Sequence, residues 1–298
     1  MDNKCLICGQ LFTERSHHWK FHKIKEKDYY EKYLPKQDLF SKKKIIFKSP
    51  EQYELADFNN RTNLKKYIES VSKEKALEYL KNWLNRRKNI KNLTYSLSEF
   101  ELKTLIFPPI SYFNKYFGQG SYEKICLELG LQLKHDLNYL PETSQNSKLE
   151  YIVDSREQSV LLVKNFQIQT LNYGDYTVKD NNGIYIERKS LSDAISTLSQ
   201  GYDRFNREIE RCKNDNNYLI ILIEEKFSNL QSFQYMPHIH SKCSWEFISH
   251  RIRELLYKYP LTIQFLCSDG RKEAVRLIEK IFQIKIILRR LDLQFCYN

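Results

Sequence analysis

The sequence predicts a multidomain chain: a C-terminal α/β domain over 150–298, a helical basic region over 41–137 and a small Cys/His unit over 1–34. Three observations carry this. Short β-rich runs alternate with helical stretches after Tyr151, apolar residues recur at helical spacing between Leu64 and Leu84, and two closely spaced cysteines precede a group of histidines. A length of 298 residues suits about two domains of ~150 residues each. With 41% hydrophobic and 14% aromatic residues the chain can build real cores, which excludes a wholly disordered protein.

No apolar run approaches the ~18–20 residues that span a bilayer, so no membrane partner is expected. The opening stretch Met1–Gln10 has no apolar signal segment, which predicts a cytoplasmic location, nucleoid-associated or in phage-infected host cytosol for a prokaryotic chain. The formal net charge of +11 favours a polyanionic partner, because neutralising phosphates releases counterions. The excess is uneven: residues 1–150 hold 27 basic and 19 acidic side chains, and residues 151–298 hold 21 and 18. Seven cysteines, an odd number with only Cys5 and Cys8 close together, predict reduced thiols.

In the first unit, Cys5-x2-Cys8 is followed by His17, His18 and His22. His18 and His22 lie four apart, so on a helix their imidazoles share one side, while His17 points away. Two thiolates from a knuckle and two imidazoles from a helix complete a tetrahedral Zn²⁺ site of Cys5, Cys8, His18 and His22, with Phe12 as a core plug. The stretch Cys5–Leu34 is similar to the short zinc fingers of Ros/MucR-like regulators and phage-type nucleases, which implies a structural zinc and contact with DNA or protein.

In the middle region Leu64, Ile68 and Val71, then Leu77, Leu80 and Leu84, recur every three to four residues and predict helices. The Lys-rich stretches 42–44 and 86–91 read as solvated faces that would add salt-sensitive phosphate affinity. Residues 107–131 predict two short helices joined around Gly118–Gly120, a helix-turn-helix pattern. This unit is similar to the small repeats attached to homing endonucleases, which implies that Lys115, Gln119, Ser121, Tyr122 and Lys124 meet DNA; a plain two-helix packing module is the alternative. Residues 138–149 are polar, contain Pro141 and lack periodicity, so they predict a linker.

In the C-terminal domain, strands are expected at Tyr151–Val153, Tyr218–Ile223 and Leu261–Leu266, and helices over 192–213, 245–258 and 271–288. That alternation indicates an α/β layer with a partly parallel sheet. Asp180-Asn181-Asn182-Gly183 marks a hairpin turn. The expected pairing sets Val178 opposite Tyr185 and Asp175 near Arg188, close to Glu187. Strand alternation puts Glu187 and Lys189 on one face, Ile186 and Arg188 on the other. Two carboxylates and an ammonium therefore converge, and hard oxygen donors suit Mg²⁺ or Mn²⁺. Asp154-Ser155-Arg156-Glu157, following a neighbouring strand, is placed to complete the site. His238-x-His240-x2-Cys243 lacks an evident fourth ligand and reads as a surface loop.

On Gly174-Asp175, Glu187-Arg188-Lys189, Asp193, Asp154-x-Arg156-Glu157 and Tyr202-Asp203-Arg204-Phe205-x-x-Glu208, residues 151–288 resemble the nuclease domain of XPF-type structure-specific endonucleases, a branch of the PD-(D/E)XK superfamily. The resemblance implies a restriction-endonuclease-like α/β fold and hydrolysis of DNA to 5′-phosphate and 3′-hydroxyl ends. It implies metal ligation by Asp154, Asp175 and Glu187 with support from Glu157, activation of water by Lys189, and phosphate binding by Arg156 and Arg188. Asp193 is expected to cap or brace the helix beginning near 192. A homodimer through this domain is also implied, although the tandem helix-hairpin-helix module that usually follows it is not found before Asn298. DNA targeting is therefore expected from the N-terminal units. Two alternatives remain open: a homing-type site-recognising endonuclease, and a zinc-finger DNA-binding regulator with an inactive nuclease fold.

Overall fold

A computed structural model describes residues 5–11, 21–47, 50–133, 149–161, 165–180, 183–237, 239, 243–284 and 291–297. His17, His18 and Phe12, the linker 138–148, the turn tip Asn181-Asn182, His238, His240 and the end of the helix expected at 271–288 lie outside them. The chain forms two compact units: residues 1–86 with 106–108, and residues 87–105 with 109–298. The boundary at 86/87 falls within the helix Lys73–Lys91.

In the first unit, helices Glu26–Tyr33, Pro50–Leu55 and Arg61–Ser70 precede the start of Lys73–Lys91. Tyr30, Ile45, Phe47 and Ala56 form one buried cluster. Leu64 and Ile68, expected from their spacing, are buried, and so is Trp83, whose indole N–H donates to Leu55 O at 2.9 Å. Among the described residues no helix is long and apolar enough to cross a membrane.

The second unit holds a six-stranded mixed sheet: β1 (Tyr151–Asp154), β2 (Phe166–Gln169), β3 (Tyr176–Val178), β4 (Ile184–Lys189), β5 (Tyr218–Ile223) and β6 (Ile263–Cys267), in the order β2-β1-β3-β4-β5-β6. β1–β2, β4–β5 and β5–β6 run parallel, while β3 is antiparallel to both β1 and β4. Every residue of β5 is buried, as expected for a strand covered on both faces. On one face Val153, Tyr176, Ile186, Ile220 and Leu222 pack with Leu277, Ile278 and Ile281 of the helix Arg271–Ile284. Helices Leu191–Leu198 and Tyr202–Asn214 contact β4 and β5 respectively.

Two sequence expectations for this unit are corrected, and one strand is new. The hairpin pairs Tyr176 with Ile186, one residue away from the expected register. Residues opposite each other in an antiparallel pair share a face, and a one-residue slip exchanges faces. The observed register sets two fully buried side chains together, whereas the expected one faced buried Val178 with half-exposed Tyr185. The helix expected over 192–213 is two helices, ending at a Ser199 C-cap and restarting after Gly201, where an added Cβ would lie 3.2 Å from Thr197 Cα. β2 had no expectation; all four of its residues are exposed, so burial left no mark on the sequence.

Residues 110–128 form the expected helix pair, Ile110–Phe117 and Ser121–Glu128, with Gly118 and Gly120 at φ +107° and +74°. Only glycine takes such angles without strain. Lys115 and Lys124 are exposed. Tyr122 is not: it is 2% exposed and its hydroxyl accepts the Leu97 N–H at 3.1 Å. The expectation that Tyr122 meets DNA is therefore wrong. At helical spacing an aromatic reads alike on a binding face and in a core, and here packing decided for the core.

Candidate active site and metal centre

β4 carries the acidic pattern of the sequence into the sheet. Alternation holds: Glu187 and Lys189 share a face, and Lys189 Nζ donates to Glu187 Oε1 at 2.7 Å while lying 5.4 Å over the Phe205 ring. Asp175 enters from the loop before β3. Its backbone N–H donates to Ile186 O at 2.8 Å, and its Oδ2 accepts the Arg188 N–H at 2.7 Å. Gly174 makes this close approach possible. It sits at φ +58°, and a Cβ there would lie 2.7 Å from Ile186 O.

Burial, then the charge of Glu187, pushes the Asp175 carboxyl up to about 8; Glu157 adds to the rise, and the Arg188 N–H and Lys189 oppose it. Burial and Glu187 likewise raise Glu208, on the helix Tyr202–Asn214, against the pull of Lys189 and Arg211. Negative charge is thus crowded around Glu187 beyond what its ammonium partner balances. Glu208 is the functional candidate that pattern reading passed over. It stood within Tyr202-Asp203-Arg204-Phe205-x-x-Glu208, but its neighbours are set by a helix packing back on the sheet.

The other expected residues are placed differently. Asp154 is 2% exposed, and both its oxygens are engaged. Oδ1 accepts from Arg156 N and Nε at 2.8 and 2.7 Å, and Oδ2 from Arg156 Nη2 and Leu171 N at 2.9 and 2.7 Å. Instead of an open ligand, Asp154 is the brace of the 154–157 turn, with the Arg156 hydrogen bonds the largest influence holding its pKa down. Arg156 stays 69% exposed on this brace, so its outer face meets solvent. Arg188, expected on phosphate, is 12% exposed and already paired: Nη1 donates to both oxygens of Glu224 at 3.0 Å, and Nη2 to Glu157 Oε1 at 3.0 Å. Glu157 therefore balances Arg188 on the face opposite Glu187. Asp193 braces its helix as expected, accepting from the N-cap Ser190 hydroxyl at 2.6 Å while Ser190 Oγ accepts the Asp193 N–H.

Among the described residues, one grouping of three or more His, Cys, Asp or Glu has its ligand atoms within 4.8 Å of one another: Cys5, Cys8 and His22. Cys5–Gln10 closes as a knuckle, with Cys5 N–H to Gln10 O and Gly9 N–H to Cys5 O both at 2.8 Å. Cys5 Sγ is 3.5 Å from His22 Nε2. That is the edge expected of a tetrahedron with Zn–S ~2.3 Å and Zn–N ~2.0 Å. Burial raises the Cys5 thiol, but N–H groups of Cys8 and Ile7 outweigh it and the net shift is downward, towards the thiolate a metal needs. The donor set fits zinc. For the carboxylates the fit is to a hard cation of low protein coordination: Mg²⁺ commonly takes one or two carboxylates and fills its remaining positions with waters and phosphate oxygens. Asp175 and Glu187, which feel each other's charge, offer two such carboxylates.

These features lie within a recognisable domain. Residues 143–281 match the ERCC4 domain. The ERCC4 domain is the XPF-type nuclease domain, and the mixed α/β sheet and the Asp175, Glu187 and Lys189 cluster fall inside the matched residues. The chain is similar to "XPF from Aeropyrum pernix", at 20% identity over 47% of this chain and 68% of that one, with a TM-score of 0.36. It is also similar to "XPF from Aeropyrum pernix, complex with DNA", at 21% identity over 43% and 60%, with a TM-score of 0.30. No curated protein matches the chain.

Substitution Cys5→Ser is expected to lower bound zinc from about one ion per chain to near none, since a site with two remaining thiolate and imidazole donors of the described set loses its tetrahedron. Metal analysis of the purified protein reads this directly; unchanged zinc content would remove the metal centre. His22→Ala is the companion variant, and His18→Ala tests the fourth position.

Proposed function

We propose that this chain is a divalent-metal-dependent DNA endonuclease that hydrolyses phosphodiester bonds to 5′-phosphate and 3′-hydroxyl ends, acting on branched or flap DNA. The observation that carries this is Asp175, half-buried against β4, with its carboxyl pushed up to about 8 beside Glu187, inside the ERCC4 match. Such uncompensated negative charge disfavours the empty site and favours a cation. Asp175 and Glu187 are the residues that would hold Mg²⁺ or Mn²⁺. A cation bound there lowers the pKa of a water and neutralises charge on the phosphoryl oxygens.

The chain's own groups do the rest. Lys189 is held by Glu187 and the Phe205 ring, so its ammonium is fixed where it can orient the attacking water and steady developing negative charge. Arg188 ties Glu157 and Glu224 to the back of β4 and keeps the strand end rigid. Arg156, exposed beyond its Asp154 brace, is the arginine available for substrate phosphate. Cys5, Cys8 and His22 would hold a zinc ion that fixes the N-terminal knuckle, a structural role. A homing-type, site-recognising activity is the second reading, favoured by the exposed Lys115 and Lys124 on the 110–128 helix pair.

Incubating wild type with linear duplex, flap, splayed-arm and arrayed-site DNAs in Mg²⁺ or Mn²⁺, then mapping the ends, tests the proposal. Preferred cutting at a branch with 5′-phosphate ends is expected. Cutting confined to one duplex sequence would favour the homing reading, and no cleavage with either metal would leave a DNA-binding regulator.

A further inference from the structure

A second concave surface lies wholly within the first unit and plays no part in the site above. The 38–46 loop and the start of the helix Arg61–Ser70 enclose a groove of about 400 Å³, lined by Ser41, Lys43, Lys44, Asn59, Asn60 and Asn63. Among the described residues no carboxylate lines it. Beneath it, Asp38 is 0% exposed and ties the two walls together. Its Oδ1 accepts the N–H groups of Phe40 and Ser41 at 2.9 and 2.8 Å, and its Oδ2 accepts from Asn59 N and Asn63 Nδ2 at 2.8 and 2.7 Å. Burial alone would raise Asp38, but these donors hold it below the usual carboxylate range. Asn63 Nδ2 also donates to Ser41 Oγ at 3.2 Å. The groove is thus preorganised by a group that it does not present.

What it presents is suited to phosphate. The side chain of Asn60 caps the helix by accepting the Asn63 N–H at 2.8 Å, and the first turn holds no acidic residue to offset the positive helix end. Lys43 is exposed and makes no ion pair among the described residues. Lys44 has one loose pair, 3.6 Å from Glu31 and half exposed, of a kind that contributes little and yields to a stronger anion. Lys42 in the loop and Lys66 on the helix are also exposed. Phe40 and Ile46, 39% and 57% exposed, add apolar area beside it, and Lys66 Nζ lies 5.7 Å over the Phe40 ring. An open, donor-rich groove flanked by exposed apolar side chains fits a repeating phosphodiester with its sugars better than a small enclosed anion.

We propose that this groove binds the phosphate backbone of DNA and supplies substrate affinity from the first unit. This rests on the nuclease reading for the choice of DNA, and deepens it by naming a substrate-holding site outside the ERCC4 domain. In the test, the full chain in a Glu187→Ala background, so that no DNA is cut, is titrated against a fluorescent duplex from 50 to 300 mM salt. The pair Lys43→Gln/Lys44→Gln is compared with Lys75→Gln/Lys103→Gln, which removes the same charge from exposed positions elsewhere. Thermal unfolding checks that both pairs fold.

The groove pair is expected to bind about tenfold more weakly than the control pair. Its salt slope should be shallower by about 2, since each phosphate contact contributes ~0.9. Equal affinity and slope in the two pairs would overturn the groove. So would full competition by 10 mM inorganic phosphate, which would mark a small-anion site, or lysine-dependent capture by phosphatidylserine vesicles with DNA binding intact. The two readings separate cleanly. Wild type that cuts while both pairs bind alike sinks the groove alone; wild type that binds through the groove but never cuts sinks the nuclease alone.

Discussion

Glu187→Ala is expected to lower cleavage by ~10³-fold or more in Mg²⁺ while duplex affinity stays within a few-fold. General-base and metal-assisted contributions of this size correspond to ~4 kcal/mol at ~1.4 kcal/mol per tenfold. The asymmetry has a structural cause. Glu187 donates nothing and, among the described residues, its side chain accepts from Lys189 at 2.7 Å, so its loss frees the ammonium and removes a repulsion from Asp175. The Asp175 carboxyl, now at about 8, should fall, and the fold should not be weakened by losing a charge that crowded it. Melting of the variant at or above wild type, together with lost cleavage, marks a group kept for chemistry. A variant that cuts at wild-type rate would remove Glu187 from the mechanism, and with it the reading of β4 as the reacting edge.

Arg87→Met is expected to destabilise the second unit by about 3–5 kcal/mol, as when one partner of a buried ion pair is removed. Arg87 is 0% exposed; it is hydrogen-bonded to both oxygens of Glu101, donates from Nη1 to Tyr95 O at 3.0 Å, and has Asp292 at 3.8 Å. Lys91 also reaches Glu101 at 2.9 Å. Burial opposes ionisation of Glu101, but Arg87 and Lys91 win and hold it below the usual carboxylate range. Asp292, pushed by burial and by the charge of Glu101, rises to about 7. Without Arg87 the Glu101 carboxylate has one cation left and both carboxyls lose a donor. Thermal unfolding should drop by roughly 10 °C, taking ~2–4 °C per kcal/mol for a unit of this size. A shift under 2 °C would refute the cluster's importance. The double variant Arg87→Met/Glu101→Leu should recover much of the loss, because well-packed apolar replacements of buried ion pairs are often neutral or better.

The same cluster sets a pH dependence. Asp292 keeps its proton in the fold up to about 7 and gives it up near ~4 when unfolded. The folded state therefore binds more protons across that window. The stabilisation is fully present below about 4 and is lost as pH rises through about 7. Asp292→Asn should flatten the fall in stability between those values in a series of unfolding curves.

Much of the chemistry was legible because it is local. Glu187 and Lys189 meet through strand alternation alone, and Ser190 with Asp193 form a cap within one helical turn. The knuckle Cys5-x2-Cys8 needs only a tight turn at Gly9, which has φ +73°. β5 announced itself through six consecutive apolar residues, and the Gly118–Gly120 break through its two positive φ angles. Errors arose where a residue's partner is remote. Asp154 and Arg188 have the right chemistry for ligand and phosphate, but Leu171, Glu157 and Glu224 occupy them first. Tyr122 faces Leu97 rather than solvent, and Glu208 comes within the influence of Glu187 through the second helix that starts after Gly201 and packs on the sheet.

Residue spacing by itself determined most of the elements, that Glu187 and Lys189 share one face of a strand, and that Cys5 and Cys8 stand on one tight knuckle. Tertiary structure alone decided which carboxylates remain open and which serve as braces, that Arg87 lies in a core, and that Asp38 builds a basic groove from two separate stretches. The physical reason is range. Periodicity and turn chemistry act over a few residues, whereas burial and pairing of charge depend on what other segments bring to the same place.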